Sequence, residues 1–507
     1  MFEPLSPTES PLPSLRAHRR QFVVGPKAFR AREDWQCRQL GKSMWVSHCP
    51  DLRNGWAKDT DGSIWALLGL AVQTSEEKPD PLAEIAHTPK SRVPDLYSSW
   101  AGRWLLAGAD SLHVDAAALL GCFYGEDEQG RTWASSSSAL LASLVPAGAT
   151  DPRTLRYERG LSWFPPPRSR FARIRRVLPS QVLEMSSGNV RPRPLMPEIV
   201  PSIGLDQGLE LLRRSLVTTI RQLPRGDQPL WMSLSAGGDS RLIFAMAHCA
   251  GIPLVTFTRI ARRMSLADRL LPPRLARELG YDHVVFRSGT APAPGRTALI
   301  NQHCAGHVSE GDALPLLQGV LDILAGISIG GQCFGVGKAK ARNLSETVTD
   351  PEGVAREIAC SQKEPRNSTA TAAIGEWLKW VALTPQASLD WRDRYYIEQR
   401  LAGWQSSKEQ VYDLRTHERF PVINCARNYA LMLSLPAVWR REGRYQAELI
   451  RRTVPSLMKH AINPDDWHFG IGPALADIVG KSRGDPLYPA RRIVSGLRRL
   501  YRPRYGH

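Results

Sequence analysis

The stretch Ser235-Ala236-Gly237-Gly238-Asp239-Ser240 constrains the fold of this chain more than any other part of the sequence. The short apolar run at 229–234 predicts a buried strand, and residues 241–249 predict a helix that ends at Gly251. Small residues in such a turn let the backbone approach a ligand, and the helix start offers free N–H groups to an anion. Two hydroxyls add donors, and Asp239 can hold a Mg²⁺ ion. The stretch therefore predicts a phosphate-binding turn, although it is not a Walker loop.

The pattern S-x-G-x-D-S resembles the pyrophosphate loop of the asparagine-synthetase-like ATP pyrophosphatases. In that family ATP is split between its α and β phosphates to adenylate a carboxylate, and an amine then displaces AMP. The resemblance implies that the turn binds ATP through Ser235, Gly237, Gly238, Asp239 and Ser240, and that Asp239 also binds Mg²⁺. The alternative is a strand–turn–helix whose serines and glycines only cap the helix. We favour the nucleotide because a strand precedes the motif and a helix follows it.

Two further apolar runs predict a parallel sheet around this turn. They lie at 254–258 and 283–286, and a helix is predicted between them at 273–280, where Gly280 ends it. Strands that alternate with helices form βαβ units, and such sheets bind ligands at the carboxyl ends of their strands. The Ser235–Ser240 turn follows one of these ends.

The family resemblance adds residues beyond the turn. It places Phe257, Thr258 and Arg259, at the end of the second strand, near the adenine and ribose of the nucleotide. Asp268 resembles an aspartate in the family's next helix, and ordinary capping of that helix is the alternative.

The second signature of the family is altered in this chain. The stretch at 327–335 resembles a glycine-rich turn that carries Asp-Glu shortly before Phe-Gly-Gly. In one alignment these two acids become Gln332 and Cys333, and in the other they become Gly331 and Gln332. In the family the aspartate helps to bind Mg²⁺ and the glutamate helps to handle the amine. An amide, a thiol or a glycine does not supply the negative charge of a carboxylate.

Three charged residues outside the two signatures are further candidates. Glu310 and Asp312 would compensate for the missing acids if the fold brought them close, but we favour ordinary surface acids. Lys459 precedes a Gly-x-Gly turn at 469–472, as a lysine does in the family. Such a lysine would stabilise charge on the α-phosphate and on the leaving pyrophosphate. A plain surface lysine is the alternative, because the spacing is longer here than in the family.

Residues 21–200 contain short apolar runs broken by Gly, Pro and Asp, which predicts a β-rich layered domain. The segments 100–104 and 121–124 resemble the later half of a class II glutamine amidotransferase domain. Glutaminase activity there needs a cysteine at the mature N-terminus, whereas this chain begins with methionine and its first cysteine is Cys37. We interpret Cys37 and Cys49 as inert thiols. The domain is therefore predicted to lack glutaminase activity.

The predicted fold class is α/β. A β-rich layered, amidotransferase-like N-terminal domain precedes a parallel-sheet ATP pyrophosphatase (adenine nucleotide hydrolase-like) domain with a helical C-terminal part, which includes 420–424. A chain of 507 residues has room for two or three such domains. The predicted division is a disordered leader at 1–20, the amidotransferase-like domain at 21–200, the ATP pyrophosphatase domain at 201–480 and a basic tail at 481–507.

The net charge of +17 raises the question of a nucleic acid or an acidic membrane surface as partner. Part of the excess lies in an arginine-rich, amphipathic stretch at 491–504. We favour a solvated helix, because no nucleic-acid-binding module accompanies the charge. The scattered cysteines lack a C-x-x-C pair and suit a reducing cytoplasm. No apolar run is long enough to span a bilayer, so a soluble, cytoplasmic protein is predicted.

These features predict an AMP-forming amide ligase of asparagine synthase type that uses ATP and Mg²⁺. The substrates would be a small-molecule or peptide carboxylate and an amine. Free ammonia, a separate glutaminase, or an amino group within the substrate would supply the nitrogen, the last as in the β-lactam synthetases and lasso-peptide cyclases of the family. One alternative is a non-catalytic relative that binds a nucleotide or a partner. Another is an ATP pyrophosphatase that modifies tRNA, which only the charge supports.

Overall fold

A computed structural model describes most of the chain: residues 16–151, 161–200, 203–224, 226, 229–260, 264–287, 295–305, 325–338, 353, 356–358 and 369–465. Four of the predicted features lie outside the described residues. They are Glu310, Asp312, the Gly-x-Gly turn at 469–472 and the basic tail.

The first part of the chain forms two antiparallel sheets with six strands each. The strands are β1 (Phe22–Gly25), β2 (Gln36–Gln39), β3 (Trp45–His48), β4 (Asn54–Lys58), β5 (Ile64–Gln73), β6 (Trp100–Ala107), β7 (Ser111–Val114), β8 (Phe123–Glu126), β9 (Thr132–Ser135), β10 (Arg175–Arg176), β11 (Gln181–Glu184) and β12 (Val190–Pro192). Their spatial order is β10-β8-β9-β1-β3-β2 in one sheet and β12-β11-β7-β6-β5-β4 in the other.

These two sheets share one apolar core, because the inward residues of both belong to the same buried cluster. Phe22 and Val24 come from the first sheet, and Leu68 and Leu105 come from the second. Short helices cover the outer faces: α1 (Pro81–Ala86) and α2 (Val93–Leu96) lie on the second sheet and α3 (Ser138–Leu141) lies on the first. The β-rich layered domain predicted from the sequence is confirmed.

The second part of the chain is built on a five-stranded parallel sheet. Its strands are β13 (Leu230–Ser233), β14 (Leu254–Ile260), β15 (His283–Arg287), β16 (Ile327–Gly330) and β17 (Glu418–Pro421). They are arranged in the order β15-β14-β13-β16-β17, and every neighbouring pair is parallel. The chain moves outward from β13 to β15 and then returns to the other side of β13. The end of β13 is therefore the switch point where sheets of this kind bind ligands.

Helices surround this sheet and form most of the C-terminal part. They are α4 (Leu205–Arg221), α5 (Gly238–Ala250), α6 (Leu266–Glu278), α7 (Arg296–Cys304), α8 (Thr369–Leu383), α9 (Trp391–Tyr395), α10 (Ser406–Tyr412), α11 (Ala426–Ser434), α12 (Ala437–Arg440) and α13 (Arg444–Thr453). A π-helix spans Tyr396–Gln405, and 3₁₀ helices span Lys90–Arg92, Tyr97–Ser99, Phe334–Lys338, Arg441–Gly443 and Pro455–Lys459. The predicted α/β fold class is confirmed.

Three local predictions differ from the structure. Helix α5 begins at Gly238, inside the motif rather than after it. Helix α6 begins at Leu266, ahead of the predicted 273–280, because the Ser265 side chain caps it by accepting from the Asp268 N–H. Strand β17 lies within the stretch predicted to be helical, at the edge of the sheet beside β16.

The two parts of the chain are joined by a continuous core and by buried polar contacts. One buried cluster contains Leu70 and Ala101 from the first part together with Leu212 and Met232 from the second. Residues 16–20 belong to the segment predicted to be disordered, yet they form a turn against the second part. The Arg20 guanidinium in this turn donates to the backbone carbonyls of Asp413, Arg415 and Thr416.

None of the described helices is long and apolar enough to cross a membrane. The cysteines in the described part of the chain are all free thiols.

A buried histidine connects three segments at the boundary between the two parts. His303, at the end of α7, is fully buried. Its Nε2 donates to the Gln410 carbonyl over 2.7 Å, and its Nδ1 accepts from the His18 N–H over 3.0 Å. The amide of Gln21 donates to the His303 carbonyl over 2.8 Å. Burial, assisted by the charge of His18, lowers the pKa of His303 to about 3.

This histidine predicts a pH-dependent stability. Below pH ~6.5 His303 is protonated in the unfolded chain but stays neutral in the folded protein. The free energy of unfolding therefore falls by about 1.4 kcal/mol per pH unit as the pH drops toward 3. His303→Gln is expected to remove this contribution from the slope. Urea unfolding at several pH values between 7 and 5 measures it, and an identical slope in the variant would contradict the assignment.

Candidate functional site

The Ser235–Ser240 turn connects β13 to α5 at the carboxyl edge of the parallel sheet. Its two serines hold its shape. The Ser240 hydroxyl lies 2.8 Å from the Ser235 hydroxyl and accepts from the Ser235 N–H over 3.1 Å. The Ser235 hydroxyl accepts from the Gly237 N–H over 3.1 Å. The turn is therefore organised by the same side chains that the motif specifies.

The two glycines leave little free space on the protein side of the turn. A Cβ atom on Gly237 would lie 3.2 Å from the Asn463 side-chain oxygen, and one on Gly238 would lie 3.4 Å from Ile462. Helix α5 begins at Gly238, so the N–H groups of Gly238, Asp239 and Ser240 have no carbonyl four residues earlier within the helix. Such N–H groups attract anions. An anion is therefore favoured at this helix start.

Asp268 contacts the turn directly, although sequence reasoning left capping as an equal alternative. One of its carboxylate oxygens accepts from the Ala236 N–H over 2.9 Å. The other accepts from the Ser265 hydroxyl over 3.0 Å, while Ser265 caps the helix. Asp268 thus fixes the backbone of the turn and links it to α6.

Asp239 is held by two side chains that the sequence did not indicate. The ammonium of Lys338 forms an ion pair with Asp239 Oδ1. The Gln446 amide donates to the same oxygen over 2.9 Å. Lys338 ends the 3₁₀ helix that follows β16, and Gln446 is the third residue of α13. The only sign of Lys338 in the sequence is its position four residues after Phe334, and the family pattern at this signature contains acids rather than a lysine.

A second helix start lies beside the turn. Helix α13 begins at Arg444, after Gly443 in the left-handed conformation, and it packs against α5. The contact of Gln446 with Asp239 brings the first turn of α13 next to the first turn of α5. Both helix dipoles therefore present their positive ends to the same place.

A buried arginine connects the turn to the segment that contains Lys459. Arg241 is fully buried, and its guanidinium donates to the carbonyls of Ala236 at 3.0 Å and His460 at 2.6 Å. Burial lowers the pKa of Arg241 to about 10. The Asn463 N–H also donates to the Ala236 carbonyl, over 3.1 Å. Lys459 ends the 3₁₀ helix of this segment, and its side chain is exposed.

Two of the three residues predicted to lie near the adenine and ribose, Phe257 and Thr258, are buried in the sheet. Phe257 packs edge-on against Trp231 and Phe286. The Thr258 hydroxyl donates to the Leu234 carbonyl over 2.8 Å. Contacts of Thr258 with a nucleotide would therefore come from its backbone rather than from its hydroxyl.

The altered second signature lies directly against the first. A Cβ atom on Gly331 would come within 2.8 Å of the Asp239 carbonyl oxygen, so the two turns touch backbone to backbone. The Gln332 amide accepts from the Arg419 guanidinium and donates to the Gly330 carbonyl in the orientation that satisfies both. Cys333 is buried, and burial raises its pKa well above the ordinary range. Neither Gln332 nor Cys333 supplies negative charge.

The side chains at this turn do not fit a preformed Mg²⁺ site. Asp239 is the carboxylate within the turn, and its Oδ1 is already paired with Lys338. Within the described residues there is no group of three or more Asp, Glu, His or Cys side chains that would hold a metal ion. Mg²⁺ prefers several oxygen ligands, and one carboxylate suffices only where substrate phosphates supply others.

Cys37 and Cys49, the first two cysteines of the chain, have no setting that would activate them. Cys49 is buried, and burial raises the pKa of its thiol. The Cys37 thiol donates to the Phe29 carbonyl over 3.4 Å. A raised pKa disfavours the thiolate, which is the reactive form.

The site thus belongs to a mixed α/β protein and lies in the strand–turn–helix at the switch point of a parallel sheet. No protein-family profile matches the sequence, and no curated protein matches it. Among solved structures, NMN synthetase from Francisella tularensis is similar at 12% sequence identity and a TM-score of 0.20, over 39% of this chain and 94% of that chain. The fold assignment rests on the strand order and on the position of the turn.

Proposed function

We propose that this chain uses ATP to activate a carboxylate and joins the acyl group to an amine. The carboxylate attacks the α-phosphate, which forms an acyl-adenylate and releases pyrophosphate. The amine then attacks the acyl carbon, and AMP leaves as the amide forms. The reaction class is that of the asparagine-synthetase-like ligases, whose loop the Ser235–Ser240 turn resembles.

The observation that carries the proposal is the meeting of two helix starts at this turn. The first N–H groups of α5 and the dipole of α13 favour the negative charge of the β and γ phosphates. The Ser235 and Ser240 hydroxyls shape the turn, and Gly237 and Gly238 add no side chain between its backbone and a triphosphate. The backbone at the end of β14 lies at the same edge of the sheet, where the adenine and ribose would bind.

The remaining roles are assigned by charge. Lys459 would offset charge on the α-phosphate and on pyrophosphate from the segment that Arg241 holds against the turn. Mg²⁺ would arrive with the nucleotide, because Asp239 Oδ1 is paired with Lys338. The N-terminal domain would act as a scaffold without glutaminase activity, so the nitrogen would come from ammonia, from an amino group of the substrate or from a separate glutaminase.

A non-catalytic nucleotide-binding protein is the second candidate. The specific observation behind it is that Gln332 and Cys333 supply no carboxylate beside the turn, where the family has two acids. Release of pyrophosphate and AMP separates the two functions. A binding protein would bind ATP and release neither product with any pair of carboxylate and amine.

Ser240→Ala is expected to weaken ATP binding about tenfold or more. The variant loses the hydrogen bonds that the Ser240 hydroxyl makes with Ser235, and each bond contributes about 1 kcal/mol to the shape of the turn. Calorimetric titration with ATP and Mg²⁺ measures the change. Ser186→Ala, an exposed serine between β11 and β12, is the matched control and should bind ATP like the wild type. Equal affinities in all three proteins would contradict nucleotide binding at this turn.

A further inference from the structure

The loop carboxylate and a lysine from the second signature form a partly buried ion pair. The Asp239 side chain is 40% exposed and the Lys338 side chain is 16% exposed. The pair lies beside the free N–H groups at the start of α5. In this position a ligand phosphate would meet an ammonium group and a carboxylate that already neutralise each other.

Lys338 is held at this position by its surroundings. The 3₁₀ helix that carries it is buried from Phe334 to Gly337. A Cβ atom on Gly337 would lie 2.6 Å from the Tyr445 hydroxyl, so this helix fits tightly against α13. A Cβ atom on Gly443 would lie 3.3 Å from Lys338 Cε, so the lysine stem passes directly over that glycine. Lys338 is therefore a positioned cation rather than a solvated surface lysine.

An ammonium group at Asp239 changes the electrostatics expected of the turn. A divalent cation and Lys338 cannot both occupy Oδ1, since their positive charges repel at contact distance. Gln332 and Cys333 offer no second carboxylate to which a metal ion would move. An ammonium group that a phosphate could pair with is thus already present beside the turn.

We propose that Lys338 is a built-in counter-ion that takes the place of a protein-bound divalent cation at this turn. Its ammonium pairs with Asp239. When a polyphosphate binds at the start of α5, the ammonium turns to the phosphate oxygens, and metal-free polyphosphate binds nearly as well as its magnesium complex. The role of the turn in phosphate binding comes from the proposed function, but the role of Lys338 does not require catalysis.

The test measures binding of inorganic pyrophosphate and of ATP to the full chain by calorimetry, once with EDTA and once with Mg²⁺. Wild type is expected to bind pyrophosphate in EDTA within a few-fold of its affinity in Mg²⁺. Lys338→Met is expected to lose at least tenfold in EDTA and less in Mg²⁺, because a charge-assisted contact disappears. Asp239→Asn is expected to gain affinity in EDTA, because the lysine no longer has a competing carboxylate. Lys90→Met, which removes an exposed lysine paired with Asp110, is the control and should change neither value.

Two results would overturn the proposal. One is wild-type binding of pyrophosphate that requires Mg²⁺, and the other is undiminished binding by Lys338→Met in EDTA. The ATP titrations keep this failure separate from that of the proposed function. If Lys338→Met binds ATP with the same dependence on Mg²⁺ as the wild type, the proposed role of Lys338 is wrong and the proposed ligase function stands. If pyrophosphate binding depends on Lys338 but ATP does not bind, the proposed ligase function is wrong and the proposed role of Lys338 stands. If neither compound binds, both proposals are wrong.

Discussion

Arg103→Leu is expected to lower the free energy of unfolding by about 3–5 kcal/mol, the usual cost of breaking a buried ion pair by removing one partner. Arg103, on β6, makes two parallel hydrogen bonds of 2.9 Å with the carboxylate of Asp413. Both side chains are 5% exposed. Burial alone would lower the pKa of Arg103, but Asp413 and the nearby Glu409 raise it above its ordinary value. The variant would leave Asp413 charged and buried without its partner.

Urea denaturation of the full chain measures this loss. Arg53→Leu is the matched control, because Arg53 also joins the two parts of the chain through an ion pair, with Glu418 at 2.5 Å. That arginine is 45% exposed, and its pair is expected to contribute at most about 1 kcal/mol. Similar losses in the two variants would show that burial of the Arg103 pair is not what stabilises the boundary.

Gly331→Ala is expected to reduce AMP formation by about a hundredfold. The new methyl group would lie 2.8 Å from the Asp239 carbonyl oxygen and 3.0 Å from the Asp239 Cβ atom. The two turns would have to separate, and a misplacement of about 1 Å at a reacting centre costs about a hundredfold in rate. The overpacking itself should lower stability by about 1–3 kcal/mol.

Steady-state release of AMP and calorimetry with ATP measure the effect of Gly331→Ala. Gly204→Ala introduces the same methyl group where nothing lies within 4 Å, and it should leave both values unchanged. Wild-type turnover in Gly331→Ala would show that the two turns do not need to touch. If neither the wild type nor the variant releases AMP, the affinity for ATP is the measurement that remains. It should be at least tenfold lower in Gly331→Ala than in the wild type.

Much of the fold was predicted from the spacing of apolar residues and from the glycines and prolines that end helices and strands. The apolar runs and their intervening helices predicted the parallel arrangement of β13, β14 and β15, and the motif marked the end of β13. Strand β17 was missed because it is only four residues long and ends at Pro421 among helix-forming segments. Two of its four residues, Glu418 and Arg419, are charged, so no apolar run marks it as a strand.

The site was less accessible to sequence reasoning, because its contacts join residues far apart in the chain. Lys338 and Asp239 are separated by 99 positions, and Gln446 and Asp239 by 207. No spacing rule connects such pairs, since they meet only through tertiary packing such as that of α13 against α5. The roles of Lys459, Phe257 and Thr258 stay predictions.

The continuous core between the two parts limits how the chain can be divided or recombined. Leu70 and Ala101 of the antiparallel sheets are buried in the same cluster as Leu212 of α4 and Met232 of β13. A break near residue 200 would therefore expose apolar surface on both fragments rather than separate two finished modules. If either half were replaced by that of another protein, the new half would also need an apolar surface that packs against the half that remains. Changes on one side of this boundary must be compatible with the other, so the two halves are bound to vary together.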